Sequence, residues 1–379
     1  MPRKILIAYA NAGAGHKKAA FAIESAFREI NRSDIETKVI DTLDYSTPFS
    51  KTGYPAFYLY MVNKMPYLWG LFYYLLDTRI FYRCIASYGR RLHNSLGFHG
   101  LVKFLKEYNP DIVINAHFLG SEVMANMKKK GMLKNTKLVS VVTDYMPHSF
   151  WVDKLIDYYC VAQEDTKKNL MTRGVPEEKI RVFGIPIDRV FGIKKDRKEL
   201  SAKIGIDPKK NTVLIGSGGF GVGPIKELVE GLMTAEEAQQ ILVICGNNQK
   251  LYNDIMGLTK NAGSRVKAYP YVENMDEMMS VADVMVTKSG GLTSSEAMAK
   301  DLPMIITSAI PGQEARNSDY LVKSGAAVKA YTVEKAKEVI GELFKSKEKL
   351  ELLKSRIGEI KKPNAASDIA NFTISLLEK

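Results

Sequence analysis

Residues Lys4–Ile30, KILIAYANAGAGHKKAAFAIESAFREI, decide the fold. Ile5–Ala10 is a short apolar run of the kind a buried strand needs, Asn11–Gly15 is a glycine turn, and a helical pattern follows. The order recurs at Thr212–Gly216, where the apolar run meets the second glycine loop, GSGGFGVG (216–223). Further strands are expected at Lys38–Asp41, Asp111–Asn115, Lys137–Thr143, Tyr158–Ala162 and Ile180–Phe183 in the first half. In the second half they are expected at Gln240–Cys245, Val266–Tyr269, Asp283–Thr287 and Met304–Thr307. Strand, turn and helix in repeated alternation predict an α/β protein with parallel sheets. The 379 residues fit two domains. Pro186 and the charged stretch Lys194–Lys210 set the boundary, giving residues 1–188 and 189–363 as the main domains. In such sheets ligands sit beyond the carboxyl ends of the strands, so the loops after Ala10, Thr143, Gly216 and Thr287 are expected to face a cleft between the domains.

The formal charge of +12 calls for an anionic partner, nucleic acid or anionic lipid headgroups, and the excess is greater in residues 1–188, with 26 basic against 18 acidic side chains. Cys84, Cys160 and Cys245 are far apart and form no CxxC pair, which argues against a disulfide framework or a zinc site and for a reducing, cytoplasmic setting. The N-terminal apolar run is too short for a signal peptide and leads straight into the glycine turn.

Four stretches can carry chemistry. In the first, Gly13 and Gly15 allow a tight turn, and His16 at the start of the helix is held neutral by the helix dipole and so able to accept a proton. No Gly-Lys-Ser/Thr follows, so this is not a Walker A loop, and Lys18 stands where a third dinucleotide-binding glycine belongs. The second loop does contain GxGxxG, which makes a nicotinamide dinucleotide a rival ligand. The next strand, however, ends at Gly246 and Asn247 without the carboxylate that would hold a ribose. The third stretch, KSGGLTSSEAMAKDLPMIITSAIPGQEARN (288–317), is the most specific. Ser289, Gly290, Gly291, Leu292 and Thr293 make a small-residue turn opening a helix, suited to a diphosphate. Glu296, one turn beyond Leu292, can reach ribose hydroxyls, and Gln313 and Glu314 after Pro311-Gly312 can bind sugar hydroxyls. Asp144 and His148, in TDYMPHSFW (143–151), follow another buried strand and are expected at the same cleft. The chain has no Asp-x-Asp, so no metal is expected and helix dipoles and donors would stabilise the leaving UDP. His93, His99 and His117 show no metal-ligand spacing.

Tyr54–Arg91 breaks the α/β alternation. It is rich in aromatics and Leu, but Lys64, Pro66 and Asp77 interrupt it, so it is too short in any apolar run to span a bilayer. With Lys51, Lys64, Arg79, Arg83, Arg90 and Arg91 around it, the segment reads either as interfacial helices on an anionic membrane or as a core helical hairpin.

The motifs NAGAGHKKAA, VVTDYMPHSFW, VFGIPID, GSGGFGVG, KSGGLTSSEA and PGQEARN, in this order, resemble the monogalactosyldiacylglycerol synthase and processive diacylglycerol glucosyltransferase family over nearly the whole chain. The resemblance implies a GT-B fold of two Rossmann-like domains, with a C-terminal helix at 364–379 crossing back to the first. It implies inverting transfer of a hexose, glucose favoured over galactose, from a UDP-sugar to diacylglycerol or glycosyldiacylglycerol. It further implies that no cofactor is required and that the protein acts peripherally bound at the cytoplasmic face of the membrane. Carried over by position, it implies His16 as base with Asp144 and His148 close by. Gly15, Gly218 and Gly219 would lie near the diphosphate, Val272 at uracil, Ser289–Thr293 at phosphate, Glu296 at ribose, and Gln313 and Glu314 at the hexose. Tyr58, Trp69, Phe72, Arg79, Arg83 and Trp151 fall to the acceptor and membrane side. The transferase that adds N-acetylglucosamine to a polyprenyl-linked cell-wall precursor is similar in the second domain. A non-catalytic nucleotide-sugar sensor or a basic nucleic-acid-binding protein is the alternative of another class.

Overall fold

The computed structural model describes residues 2–11, 13–78, 97–216, 218, 223–262 and 265–378, which fall into two compact units. Unit 1 is built from Met1–Arg189, Ile310–Arg316 and Lys362–Lys379, and unit 2 from Val190–Ala309 and Asn317–Lys361. The segment 310–316, which lies within the second domain by sequence order, therefore packs with unit 1.

Unit 1 holds a parallel six-stranded sheet of β1 (Arg3–Tyr9), β2 (Ile35–Asp41), β3 (Ile112–Asn115), β4 (Lys137–Val141), β5 (Tyr158–Val161) and β6 (Ile180–Val182), in the order β2-β1-β3-β4-β5-β6. Its helices are α1 (Ala14–Ile30), α2 (Tyr54–Lys64), α3 (Pro66–Asp77), α4 (His99–Tyr108), α5 (Phe118–Lys129) and α6 (Glu164–Thr172). Ile5, Leu6 and Ile7 are fully buried, as a strand covered on both faces requires. One face packs in a core with Leu101, Leu105, Met124 and Trp151.

Unit 2 repeats the plan with β7 (Thr212–Gly216), β8 (Gln240–Ile244), β9 (Val266–Tyr269), β10 (Val284–Lys288), β11 (Met304–Ser308) and β12 (Ala327–Lys329), all parallel, in the order β12-β11-β10-β7-β8-β9. Helices α7 (Arg197–Ile204), α8 (Ile225–Met233), α9 (Gln249–Ala262), α10 (Met275–Val281), α11 (Gly291–Ala299), α12 (Gln313–Lys323), α13 (Val333–Lys345) and α14 (Lys347–Ile360) follow in chain order, the first turn of α12 lying in unit 1. The last helix, α15 (Ala365–Leu377), belongs to unit 1 and packs on α1. The eleven expected strands are all present, ten of them within a residue or two at their ends, while β2 begins three residues earlier than expected, and β12 is additional.

The strand order fixes where each sheet can bind a ligand. In unit 1 the chain moves from β1 to β2 on one side and to β3 on the other, so the switch point lies between β1 and β3. In unit 2 it lies between β7 and β10. Loops leaving the two strands of a switch point diverge to opposite faces and open a crevice.

Candidate functional site

The crevice of unit 1 is formed by the turn after β1 and the loop after β3. His16 lies in the first turn of α1, whose N-terminus has Gly13 at the cap position and no capping side chain. Gly15 precedes it in the same turn, partly buried. His16 Nδ1 lies 2.9 Å from the Ala116 carbonyl oxygen after β3 and 3.1 Å from Thr143 Oγ1. A carbonyl can only accept, so the proton sits on Nδ1 and the lone pair on Nε2. Among the described residues no hydrogen-bond partner engages Nε2. The His16 pKa lies below its usual value because burial disfavours the imidazolium, while the Asp144 carboxylate and the Ala116 carbonyl oppose that shift. Burial thus supplies the neutrality that the sequence reading ascribed to the helix dipole. His117 packs edge-on against His16, with ring centroids 4.5 Å apart. Its Nδ1 accepts from Leu119 N–H at 3.1 Å, which caps α5.

Asp144, buried just beyond β4, accepts a hydrogen bond from the Gln313 side-chain amide. The structure therefore brings Asp144 and Gln313 together, and Thr143, the residue before Asp144, meets His16. Glu314 turns back on its own loop, its Oε2 accepting from Ile310 N–H at 3.2 Å.

His148 has a different place from the one expected. It is 4% exposed, its Nδ1 accepts from Phe150 N–H at 3.1 Å, and its Nε2 therefore donates to the Tyr73 carbonyl at 2.9 Å. Burial pushes its pKa down to about 4 against the opposing pull of Asp77. With both ring nitrogens engaged, His148 positions α3 rather than moving a proton. Trp151 also departs from expectation. It is 2% exposed and packs edge-on against Phe118, so it belongs to the core of unit 1 and not to an acceptor or membrane surface.

Helix α3 inverts the usual pattern. Gly70, Tyr73 and the Asp77 carboxyl group face inward at i, i+3 and i+7, while Tyr67, Leu71, Phe72, Tyr74 and Leu75 are exposed, Tyr67 at 86%. Trp69 is half-buried on the same helix. Tyr58 lies in α2, and Arg79 and Arg83 lie outside the described residues. Asp77 ends α3 and gathers donors that sequence reasoning missed. Arg173 binds it through both ends of its fork at 2.7 and 2.9 Å, Arg316 at 2.6 Å, and Ser149 through N–H and hydroxyl at 2.7 and 2.9 Å. The Arg173 fork and the other donors hold the Asp77 carboxyl far below the usual carboxylate range despite its burial.

In unit 2 the crevice lies between the loops after β7 and β10. Gly218 lies in the first, where an added Cβ would stand 3.5 Å from Lys288 Cε, and Gly219 lies outside the described residues. After β10, Ser289 is fully buried and Gly290 caps α11, whose N-terminus has no side-chain cap, so Gly291, Leu292 and Thr293 present backbone at the crevice. Glu296 is buried in the second turn of α11, and Val272 is half-buried just after β9.

Both halves match known families. Residues 16–187 match the monogalactosyldiacylglycerol (MGDG) synthase family and residues 212–371 the glycosyltransferase family 28 C-terminal domain. A processive diacylglycerol beta-glucosyltransferase of Bacillus cereus (strain B4264) is 35% identical over 328 residues, covering 86% of this chain and 81% of the relative. One from Bacillus mycoides (strain KBAB4) is 33% identical over 378 residues, 98% of this chain and 93% of the relative. Among solved structures, MurG of Acinetobacter baumannii aligns with a TM-score of 0.60 at 15% identity, covering 98% of this chain and 99% of its own. The MnaA–UDP structure from S. aureus aligns at 0.65 and 12% identity, covering 99% and 97%. At these identities the likeness concerns the fold, two Rossmann-like units of the expected GT-B class.

Proposed function

The chain belongs to the family of processive diacylglycerol glucosyltransferases, and on that premise we propose that it moves glucose from UDP-glucose to diacylglycerol or a glycosyldiacylglycerol, with inversion. The observation that carries the mechanism is the tautomer of His16. Its Nδ1–H is held by the Ala116 carbonyl, and its Nε2 lone pair is directed away from that bond. The acceptor hydroxyl loses its proton to Nε2 as its oxygen forms a bond to the anomeric carbon and the bond from that carbon to the UDP oxygen breaks. Thr143 and the Ala116 carbonyl fix the ring, and Asp144 stabilises the imidazolium that forms. On the donor side the amides of Gly291–Thr293 and the α11 dipole stabilise the diphosphate, Glu296 takes the ribose hydroxyls and the backbone near Val272 takes uracil. Gln313 and Glu314 bind the hexose.

The acceptor is a lipid, and the exposed aromatic and aliphatic face of α3, continued by Phe57 and Tyr60 of α2, suits the boundary of an anionic bilayer. Lys51 and Lys64 are exposed at this segment, and the +12 charge favours an anionic surface. Among the described residues no helix is long and apolar enough to cross a membrane, so attachment is proposed as peripheral, on the cytoplasmic side where UDP-sugars are made. The test is incubation with labelled UDP-glucose, UDP-galactose or UDP-N-acetylglucosamine and vesicles of diacylglycerol with an anionic lipid. Glucolipid is the expected product; no glycolipid from any donor rejects the reading.

A further inference from the structure

Helix α3 touches the loop that carries Gln313 and Glu314 through its whole inward face. At Gly70 an added Cβ would stand 2.6 Å from Pro311 Cβ, so the helix backbone rests on that proline. Gly312 has φ +103°, and a Cβ there would meet the Tyr73 ring at 2.8 Å. Arg316, three residues after Gln313 and so on the same side of the first turn of α12, ion-pairs with Asp77 at 2.6 Å. Its guanidinium also lies 5.1 Å from the ring centroids of both Tyr73 and Tyr74. Two buried carboxylates thus hold one helical turn, Asp144 through Gln313 and Asp77 through Arg316. Asp77 is itself fixed by Arg173 and Ser149. The opposite face of α3 is the exposed one, with Tyr67, Leu71, Phe72 and Leu75.

We propose that Arg316 is a positioning residue that ties the sugar-binding turn to α3, so that seating the outer face of α3 on the bilayer sets the turn for transfer. This rests on the reading of Gln313 and Glu314 as hexose-binding and of α3 as the membrane face. The guanidinium is needed for its shape as well as its charge. A lysine keeps the attraction to Asp77 but cannot offer a planar fork that meets the carboxylate edge while standing over the Tyr73 and Tyr74 rings. A side chain that acts only as ballast for folding would tolerate that exchange without a selective effect on the donor sugar or on the lipid response.

The experiment compares wild type, Arg316→Lys, Tyr74→Ala and Gln313→Ala with UDP-glucose, using diacylglycerol either in anionic vesicles or dispersed in detergent. UDP titration and thermal melting are run in parallel. For Arg316→Lys the expected result is a fall in kcat/KM for UDP-glucose of roughly ten- to a hundredfold on vesicles, the scale for a misplaced positioning group. The Kd for UDP should be unchanged and the ratio of vesicle to detergent activity should fall toward one. Tyr74 is 45% exposed, so its alanine variant folds, and it should lose about two- to fivefold in the same direction, the size of one cation–π contact. If Gln313→Ala retains full kcat/KM, the hexose reading of the turn is wrong and the positioning proposal goes with it. If Gln313→Ala falls while Arg316→Lys and Tyr74→Ala keep wild-type kcat/KM and the wild-type lipid ratio, the hexose reading stands and the positioning proposal is overturned.

Discussion

Acidification should destabilise unit 1 through His148. The imidazole is buried neutral between the Phe150 amide and the Tyr73 carbonyl, with its pKa down at about 4, whereas the unfolded chain binds the proton at the usual 6.5. Between those two values the unfolded state holds more protons than the folded one, so stability falls as pH falls through this window and levels off below about pH 4. Relative to pH 8, the loss from this one group amounts to about 2.5 kcal/mol by pH 4.5. Asp77 acts in the same direction but at lower pH, since its unfolded pKa of 3.8 keeps it ionised in both states through most of this range. Both tryptophans, Trp69 and Trp151, lie in unit 1, so urea unfolding followed by tryptophan fluorescence reports on that unit. With urea slopes of about 2–3 kcal/mol per molar, 2.5 kcal/mol corresponds to a midpoint lower by roughly 1 M at pH 4.5. His148→Asn keeps an acceptor for Phe150 N–H but cannot titrate, so it should be less stable at pH 8 yet lose about 2.5 kcal/mol less on acidification. Equal pH slopes for the two proteins, or a His148 proton resonance titrating near 6.5, would refute the assignment.

His16→Ala should reduce kcat by about 10²–10⁴, the usual contribution of a positioned base, while UDP titration shows an affinity close to wild type. In the wild type the acid limb of kcat/KM against pH should have its midpoint below 6.5, because burial lowers the His16 pKa and the base is lost only when protonated. A midpoint above 6.5 would contradict that environment. Gly312→Ala places a Cβ 2.8 Å from the Tyr73 ring at a φ of +103°, which combines backbone strain with overpacking. Roughly 2–4 kcal/mol should be lost, read by the same fluorescence unfolding, and a variant as stable as wild type would show that Tyr73 does not rest on this turn.

The sheets were legible because each strand is a short apolar run bounded by turn residues, and the continuous burial of Ile5–Ile7 is what such a run demands. The strand missed, β12, is three residues long and only Ala327 of it is buried, too little for periodicity to register. His16 could be picked out because the residues that make it useful are local, a glycine turn and a helix start. Asp77 could not. In sequence it reads as a charge interrupting an apolar stretch, evidence against a spanning helix. Its meaning lies in Arg173 and Arg316, which only the folded chain brings to it. Trp151 was misplaced for a related reason, since its neighbours Asp144 and His148 drew it toward the site while its ring belongs under α5 with Phe118. His148 shows the opposite error. A histidine near a candidate base looks chemical in sequence, and only the two bonds at its ring nitrogens reveal a structural role.

Unit 1 is discontinuous: Ile310–Arg316 and Lys362–Lys379 complete what Met1–Arg189 begins. In α15, Ala365, Ile369, Ala370, Thr373 and Leu376 are buried, and the helix packs on α1, more than 300 residues earlier in the chain. A ribosome making this chain emits the first six strands long before the last helix. The N-terminal sheet must wait with the α1 surface uncovered while all of unit 2 is synthesised. A nonsense codon just ahead of Ala365 would therefore spare every residue assigned to chemistry and still leave the first-made unit unfinished.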